Sequence, residues 1–539
     1  MIKVIENNPI LSLLLFVAIM LGFTIDAIPV SIMEARNFIS AREMLTDGNW
    51  ILTTMNGEAR YEKPPLPTWI TAAFGYVFGM QSVLALRWPA LFFLASIGIS
   101  TFLISRRLEL NSSHSVINGF IVITSFYCIG ITIEAPWDIY THGFMLMALY
   151  QLLIMLKDQQ TSFINSFLFV LFMSCTILSK GPVSLYVLFL SFSLAFGFTY
   201  KFQGGLIHYL KLFALLIFGI VLGGWWYLHV RVADPVTFSA IAERETSNWS
   251  SYNVRPFYYY WSFFVQSGMW AIPAFISLLY PYLKSRVSNI KAYRFSLLWT
   301  LIALVLLSII PEKKSRYLMP VLIPLAINIG FYINYLIRTF KTLKSKKEIA
   351  PVYFSFGLLG LLALLFWVTG FFLGPLLTGF ILVRYLMASI ALAIIGFFIF
   401  KELKAKNIKN VFYLSLTVML GLGFFALPLI KAQNQELYTP VSELNSESLS
   451  IYSLGYVAPE VIFNYGNKIP SIKTNEGYIL PEDKEFGLLT REVNPNDIDA
   501  LSKLYTIEYV KTFDLNFTPE STNSYKNRLV NQYYKLSLK

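Results

Sequence analysis

The residues able to grip a phosphate or move a proton sit in short polar segments between long apolar ones. Asp26, Glu34, Arg36, Arg42, Glu43, Arg60, Glu62 and Lys63 fall early, the last two inside Tyr61-Glu-Lys-Pro-Pro-Leu-Pro-Thr-Trp69. Glu134, Asp138, Lys180, Arg244, Arg255, Lys313, Lys314, Arg316 and Tyr317 follow. Carboxylates in such places can serve as a general base or hold a metal, whereas Lys, Arg and Tyr can clamp a phosphate. A charged segment at the mouth of an apolar bundle permits polar chemistry without burying ions in lipid. The set therefore predicts chemistry at a membrane surface, with the head group of a phosphate-bearing lipid as the natural ligand. His114, His142, His208 and His229 are scattered and have no metal-ligand spacing.

Each residue also has a plainer reading. Arg36 and Arg42 can snorkel from an interfacial helix, and Glu43 can be a solvated neighbour. Glu62-Lys63-Pro64-Pro65 can be a turn, because proline disfavours helix at the residue before it. Asp138 can cap the span that follows it, and Lys180-Gly-Pro can be a reversal between two helices.

The elements that must position these residues are mostly membrane spans. Hydrophobic residues make up 56% of the 539-residue chain and charged ones 14%, and apolar runs long enough to cross a bilayer recur. Thirteen spans are expected, at roughly 9–28, 84–105, 115–133, 139–156, 163–179, 183–200, 209–229, 257–281, 295–310, 317–337, 352–373, 378–400 and 411–431. Clusters such as Arg106-Arg107, Lys284 to Arg294, Arg338 to Lys347 and Lys401 to Lys409 fall on alternate loops, as an inside N-terminus and the positive-inside rule require. The net charge of +12 is thus mostly topology, and no nucleic-acid partner is expected. The N-terminus, Lys3 followed by an apolar run, reads as an uncleaved first helix. Cys128 and Cys175 lie in predicted spans, so a disulfide framework is not expected.

Two outward segments carry structure of their own. Residues 29–83 contain two helical patterns, Glu34 to Leu45 with Phe38, Ala41 and Leu45 on one face, and Leu66 to Phe78, both suited to the interface. Residues 230–256 are polar and aromatic. Beyond about residue 432 the composition becomes that of a soluble domain, with strands expected at Leu449–Leu454, Phe486–Thr490 and Tyr505–Val510 and a short helix at Pro459–Tyr465. The fold expected is a polytopic α-helical membrane domain over 1–431 and a small extracytoplasmic α/β domain over 432–539.

Glu34-Ala-Arg-Asn-Phe-Ile-Ser-Ala-Arg-Glu-Met-Leu, Gly48-Asn-Trp50 and the Glu62-Lys-Pro-Pro segment together resemble the first outer loop of the lipid A aminoarabinose transferase family. They also resemble its relatives among bacterial protein-mannosyltransferase-like enzymes, C-type glycosyltransferases that use polyprenyl-phosphate sugars. Trp137-Asp138, Ser179-Lys-Gly181, Arg255-Pro-Phe-Tyr-Tyr-Tyr-Trp261 and Lys313-Lys-Ser-Arg-Tyr317 match in the same order. The resemblance implies that Lys63 contacts the donor phosphate, that Asp138 positions it, and that Tyr317 and either Arg255 or Arg244 contact the phosphate, with Lys313 and Arg316 beside Tyr317. It implies that Glu62 can hold a divalent ion, and that the acceptor is a lipid A-like lipid, a glycan or a protein at the outer face of a bacterial inner membrane. Two departures stand out: Met33 occupies the place of the family's catalytic aspartate, and no histidine lies between 231 and 256 to partner Glu62 at a metal. Glu34 is the expected substitute base; the alternative is that it caps its helix, with Asp26 or Glu62 as the base. The rival class, a transporter or lipid flippase, predicts internal repeats and ionisable groups near the midplane, and neither is seen in the sequence.

Overall fold

The computed structural model describes residues 2–134, 136–374, 377–432, 437–446, 449–474, 477–492 and 494–539. Among these residues, ten helices are long and apolar enough to cross a membrane, and the bent pair Ser112–Ile123 and Phe126–Glu134 makes an eleventh if counted as one span. The protein is a multi-pass membrane protein. Ten of the thirteen expected spans are full-length helices, and the other three are interrupted. The 115–133 stretch bends by 48°. The 183–200 stretch forms a π-turn, Leu185–Phe189, running into the short helix Leu190–Thr199. The 257–281 stretch breaks into 3-10 turns and Ala271–Ser277 around Gly268, whose φ of 66° lies in the left-handed region. Apolar content marks all three equally; the breaks depend on backbone geometry that hydropathy does not register.

The chain forms two compact units. The first comprises Met1–Asp26, Tyr61–Pro67 and Arg87–Pro428. Its central helix, Ser315–Thr339, is almost wholly buried, whereas Leu206–Ala233 turns most of its apolar side chains outward, as a lipid-facing helix does. Arg87, buried on a span, donates to the Ile25 carbonyl at 2.6 Å, so its charge is answered within the bundle.

The second unit comprises Ala27–Arg60, Thr68–Leu86 and Leu429–Lys539. The expected domain start falls beside residues 433–436, which lie outside the described residues. By contacts, the C-terminal region forms one body with most of the first outer loop. A four-stranded sheet orders its strands Ile451–Ser453, Glu485–Thr490, Val530–Leu538 and Tyr505–Asp514, the first pair parallel and the others antiparallel. Helix Pro459–Tyr465 packs in the same apolar core as Ile39 of the loop helix Ile32–Asp47. Asn56 binds the backbone of Ile469 twice, at 2.7 and 2.8 Å, and Lys468 pairs with Asp47 at 2.6 Å.

Glu43 and Arg42 are buried in this unit instead of lying in solvent. The Glu43 carboxylate accepts from the Thr54 hydroxyl at 2.5 Å and the Asn56 amide at 2.6 Å, holding the hairpin Thr54–Ala59. Its two-residue turn, Asn56-Gly57, has φ of 60° and 82°, the left-handed pair that a tight hairpin needs and that Asn-Gly accommodates. Arg42 donates to the Ile462 carbonyl at 3.4 Å.

Candidate active site

Asp138 lies in the first turn of helix Pro136–Asp158 and is 2% exposed. Its Oδ1 accepts from Lys180, the last residue of helix Phe163–Lys180. A buried carboxylate holds its charge only with a partner, and this one has two neighbours. His142, one turn along the same helix, brings Nε2 to 3.9 Å from Asp138 Oδ1 and Nδ1 to 2.7 Å from Ser184 Oγ. Gly181, immediately after Lys180, adopts φ 74° and ψ −153°, and a Cβ there would stand 2.7 Å from the Tyr227 hydroxyl. The reversal expected at Lys180-Gly-Pro is real, and it delivers the lysine to the aspartate.

Lys180 Nζ lies 5.3 Å from the centre of the Tyr317 ring. Lys314 and Arg316 approach that ring at 5.7 and 5.8 Å, so three cations surround one phenol. Glu312 binds Lys314 at 2.5 Å and accepts from the Tyr317 hydroxyl at 3.4 Å. Arg316 has no carboxylate within ion-pair distance among the described residues. The segment is pinned from both sides: Val254 and Glu312 form an antiparallel bridge, and the Tyr260 hydroxyl both accepts from the Lys314 amide at 2.9 Å and donates to its carbonyl at 3.0 Å.

Tyr61–Pro67 belongs to the same unit and is tied to helix Pro235–Ser251. Lys63 pairs with Glu245 at 3.2 Å, Arg244 with Glu62 at 2.6 Å, and the Tyr61 hydroxyl donates to Asp234 at 3.2 Å. Asp234 caps that helix by accepting from the Thr237 amide, and the bonds to Thr237 hold its carboxyl below the usual range. Burial, with Asp234 alongside, pushes the Tyr61 phenol up.

The structure therefore joins Asp138 and Tyr317 through Lys180, with Arg316 on the same ring, and joins Lys63 to Glu245 and Glu62 to Arg244. Lys313 is turned away: buried, it donates to the Ile310 carbonyl at 2.5 Å and so closes the end of helix Ile290–Ile309. Arg255 holds the segment through its backbone, its amide donating to Pro311 at 3.2 Å, while its side chain is exposed. Glu34 belongs to the second unit and forms a capping box with Ser31: its carboxylate accepts from the Ser31 amide at 2.9 Å, and its own amide donates to Ser31 Oγ at 3.3 Å. At Glu62, the Arg244 guanidinium holds Oε1 at 2.6 Å, a cation standing beside the carboxylate that would have to ligate a divalent ion. Among the described residues no three His, Cys, Asp or Glu side chains converge as ligands. A metal at Glu62 does not fit this donor set.

Several partners in the site were not singled out in the sequence. His142, four residues after Asp138, had a readable signal, since i and i+4 share a helix face. Ser184, Glu245 and Glu312 have none, because only the tertiary fold brings them in.

No family model matches the chain. Over 319 residues it is 24% identical to an uncharacterized protein of Aquifex aeolicus, covering 58% of this chain and 60% of that one. Over 317 residues it is 24% identical to an undecaprenyl phosphate-alpha-4-amino-4-deoxy-L-arabinose arabinosyl transferase of Shewanella sediminis, covering 54% of each. The matches thus span little more than half the length of these curated relatives. In three dimensions the chain superimposes on ArnT from Cupriavidus metallidurans, solved bound to undecaprenyl phosphate, with a TM-score of 0.68 at 14% identity, over 99% of this chain and 97% of that one. The apo form of that protein gives 0.67. The fold is that of a multi-pass membrane protein with a small sheet domain, and in particular it is the fold of ArnT.

Proposed function

We propose that this protein is an inner-membrane glycosyltransferase that moves a sugar from a polyprenyl phosphate to a lipid, glycan or protein acceptor on the outer face. One observation carries the reading: Lys180, Lys314 and Arg316 crowd the Tyr317 ring, and Arg316 has no carboxylate partner among the described residues. Such a surplus of positive charge suits a phosphate. Its place at the ends of Pro136–Asp158, Phe163–Lys180 and Ser315–Thr339, and not at mid-helix, suits a head group held at the membrane surface.

In this mechanism an acceptor oxygen attacks the anomeric carbon, the bond to the donor phosphate breaks, and the polyprenyl phosphate leaves. Lys63 and Arg316 stabilise the charge growing on the phosphate, with Arg244 or Arg255 supplying a further guanidinium. Lys63 exchanges Glu245 for the phosphate when the donor binds. Asp138, fixed by Lys180 and His142, positions the cations. Glu34 is the proton acceptor of the proposal, and in that role it must loosen its bond to the Ser31 amide. Glu34→Gln keeps the cap and removes the basicity: a rate loss of about 10²–10⁴ fits a base, and a parental rate leaves Glu34 as a cap.

Mass spectrometry of lipids, glycolipids and glycoproteins from a deletion strain tests the function. The expected result is one missing surface sugar and an accumulated polyprenyl-phosphate sugar, both reversed by the wild-type gene. Unchanged profiles would overturn the proposal.

A further inference from the structure

We propose a second anion site, for a phosphate group, at the end of the bundle away from Asp138. Lys157 lies on the same helix as Asp138, nineteen positions on, hence about 28 Å along its axis. There a cavity of about 190 Å³ is lined by Lys157, Lys201, Lys291, Tyr200, Glu109 and Gln159, among others. Positive charge alone is ordinary at this end of a membrane bundle. The cavity adds two features that the topology rule does not require.

First, Lys157 and Lys291 both approach the Tyr200 ring, at 5.4 and 4.8 Å, so two ammonium groups are held close despite their repulsion. Second, the single carboxylate is already engaged: Glu109 bonds Lys157 at 2.6 Å, and that bond holds its carboxyl below the usual range. Lys201 and Lys291 have no carboxylate within ion-pair distance among the described residues, which leaves the cavity with surplus positive charge. A tetrahedral anion with several acceptor oxygens matches two free ammonium groups and the neighbouring phenol. The phosphate can come from a phospholipid head group of the facing leaflet or from a soluble phosphate.

Native mass spectrometry of the full-length protein in detergent tests this, titrating phosphatidylglycerol and, separately, zwitterionic phosphatidylcholine. Wild type should retain phosphatidylglycerol preferentially, and Lys201→Gln/Lys291→Gln should weaken that retention roughly tenfold or more. Glu109→Gln should strengthen it, a gain that misfolding cannot imitate. Competition by millimolar inorganic phosphate would assign the site to any phosphate anion; failure to compete would assign it to the lipid-borne group. Equal retention by wild type and both variants, or equal retention of the two lipids, would overturn the proposal.

Discussion

The buried pair of Asp138 and Lys180 sets the strongest residue-scale constraint, because removing one partner leaves the other charge uncompensated in a site that excludes water. Asp138→Asn should destabilise the protein by about 3–5 kcal/mol, and adding Lys180→Met should restore much of that without restoring transfer. Thermal unfolding in detergent checks the first effect, and a transfer assay checks the second. His142 stands beside the same Asp138 oxygen, its Nε2 3.9 Å away. His142→Gln keeps a polar group facing Asp138 and should lose less activity than His142→Phe, with the change falling on kcat and not on KM. Parental turnover in His142→Phe would remove His142 from the account. Much of this site was open to reading from the sequence: Lys63, Glu62, Asp138, Arg316 and Tyr317 stand out as polar residues interrupting apolar runs. Lys313 was not, since a lysine beside Lys314 in a loop gives no sign that it turns inward to the Ile310 carbonyl.

At the scale of elements, Gly181 is the hinge on which the site depends. With φ 74° and ψ −153°, it holds a conformation that side chains rarely adopt, and the added methyl of Gly181→Ala would meet the Tyr227 hydroxyl. That variant should cost about 1–3 kcal/mol and displace Lys180 from Asp138, so that activity falls more steeply than stability. Unaltered activity and melting would show that the reversal does not position the lysine. In the second unit, hydrogen bonding from Lys468 holds the Asp47 carboxyl below its ordinary value of 3.8. A depressed carboxyl stabilises the folded state above its unfolded pKa and stops doing so as pH falls through the folded one. The tie between helix Ile32–Asp47 and the Lys468 segment should therefore weaken only below about pH 4, and Lys468→Gln should remove that acid dependence. Hydrogen exchange across pH 3–6 measures it. The helices Ile32–Asp47 and Leu66–Phe78 and the Asn56-Gly57 turn carry local signals that propensity reads. The breaks at Gly268 and at Leu185–Phe189 do not, because a long apolar run looks alike whether its helix continues, tightens into a 3-10 turn or widens into a π-turn.

For the whole molecule, ten full-length spans and three of the four strands of the C-terminal sheet followed from apolar run length and from the strand patterns after residue 432, whereas the strand Val530–Leu538 did not. The joining of the first outer loop to the C-terminal region did not, since Ile39, Asn56 and Asp47 find their partners more than four hundred residues away. Orientation is an expectation from the alternation of basic loops, which predicts Glu482 outside. Glu482→Cys should react with a membrane-impermeant maleimide in intact spheroplasts; labelling only after lysis would invert the topology. The central claim is that the cation cluster holds the phosphate of a polyprenyl-linked sugar while the sugar leaves. Lipid extract from a deletion strain should contain the accumulated donor, and adding purified protein with acceptor-bearing envelope material allows the released polyprenyl phosphate to be counted by mass spectrometry. Wild type should release it, and Lys63→Ala should release it about 10²–10³ times more slowly while remaining folded. No release by wild type, or equal release by Lys63→Ala, would contradict the account.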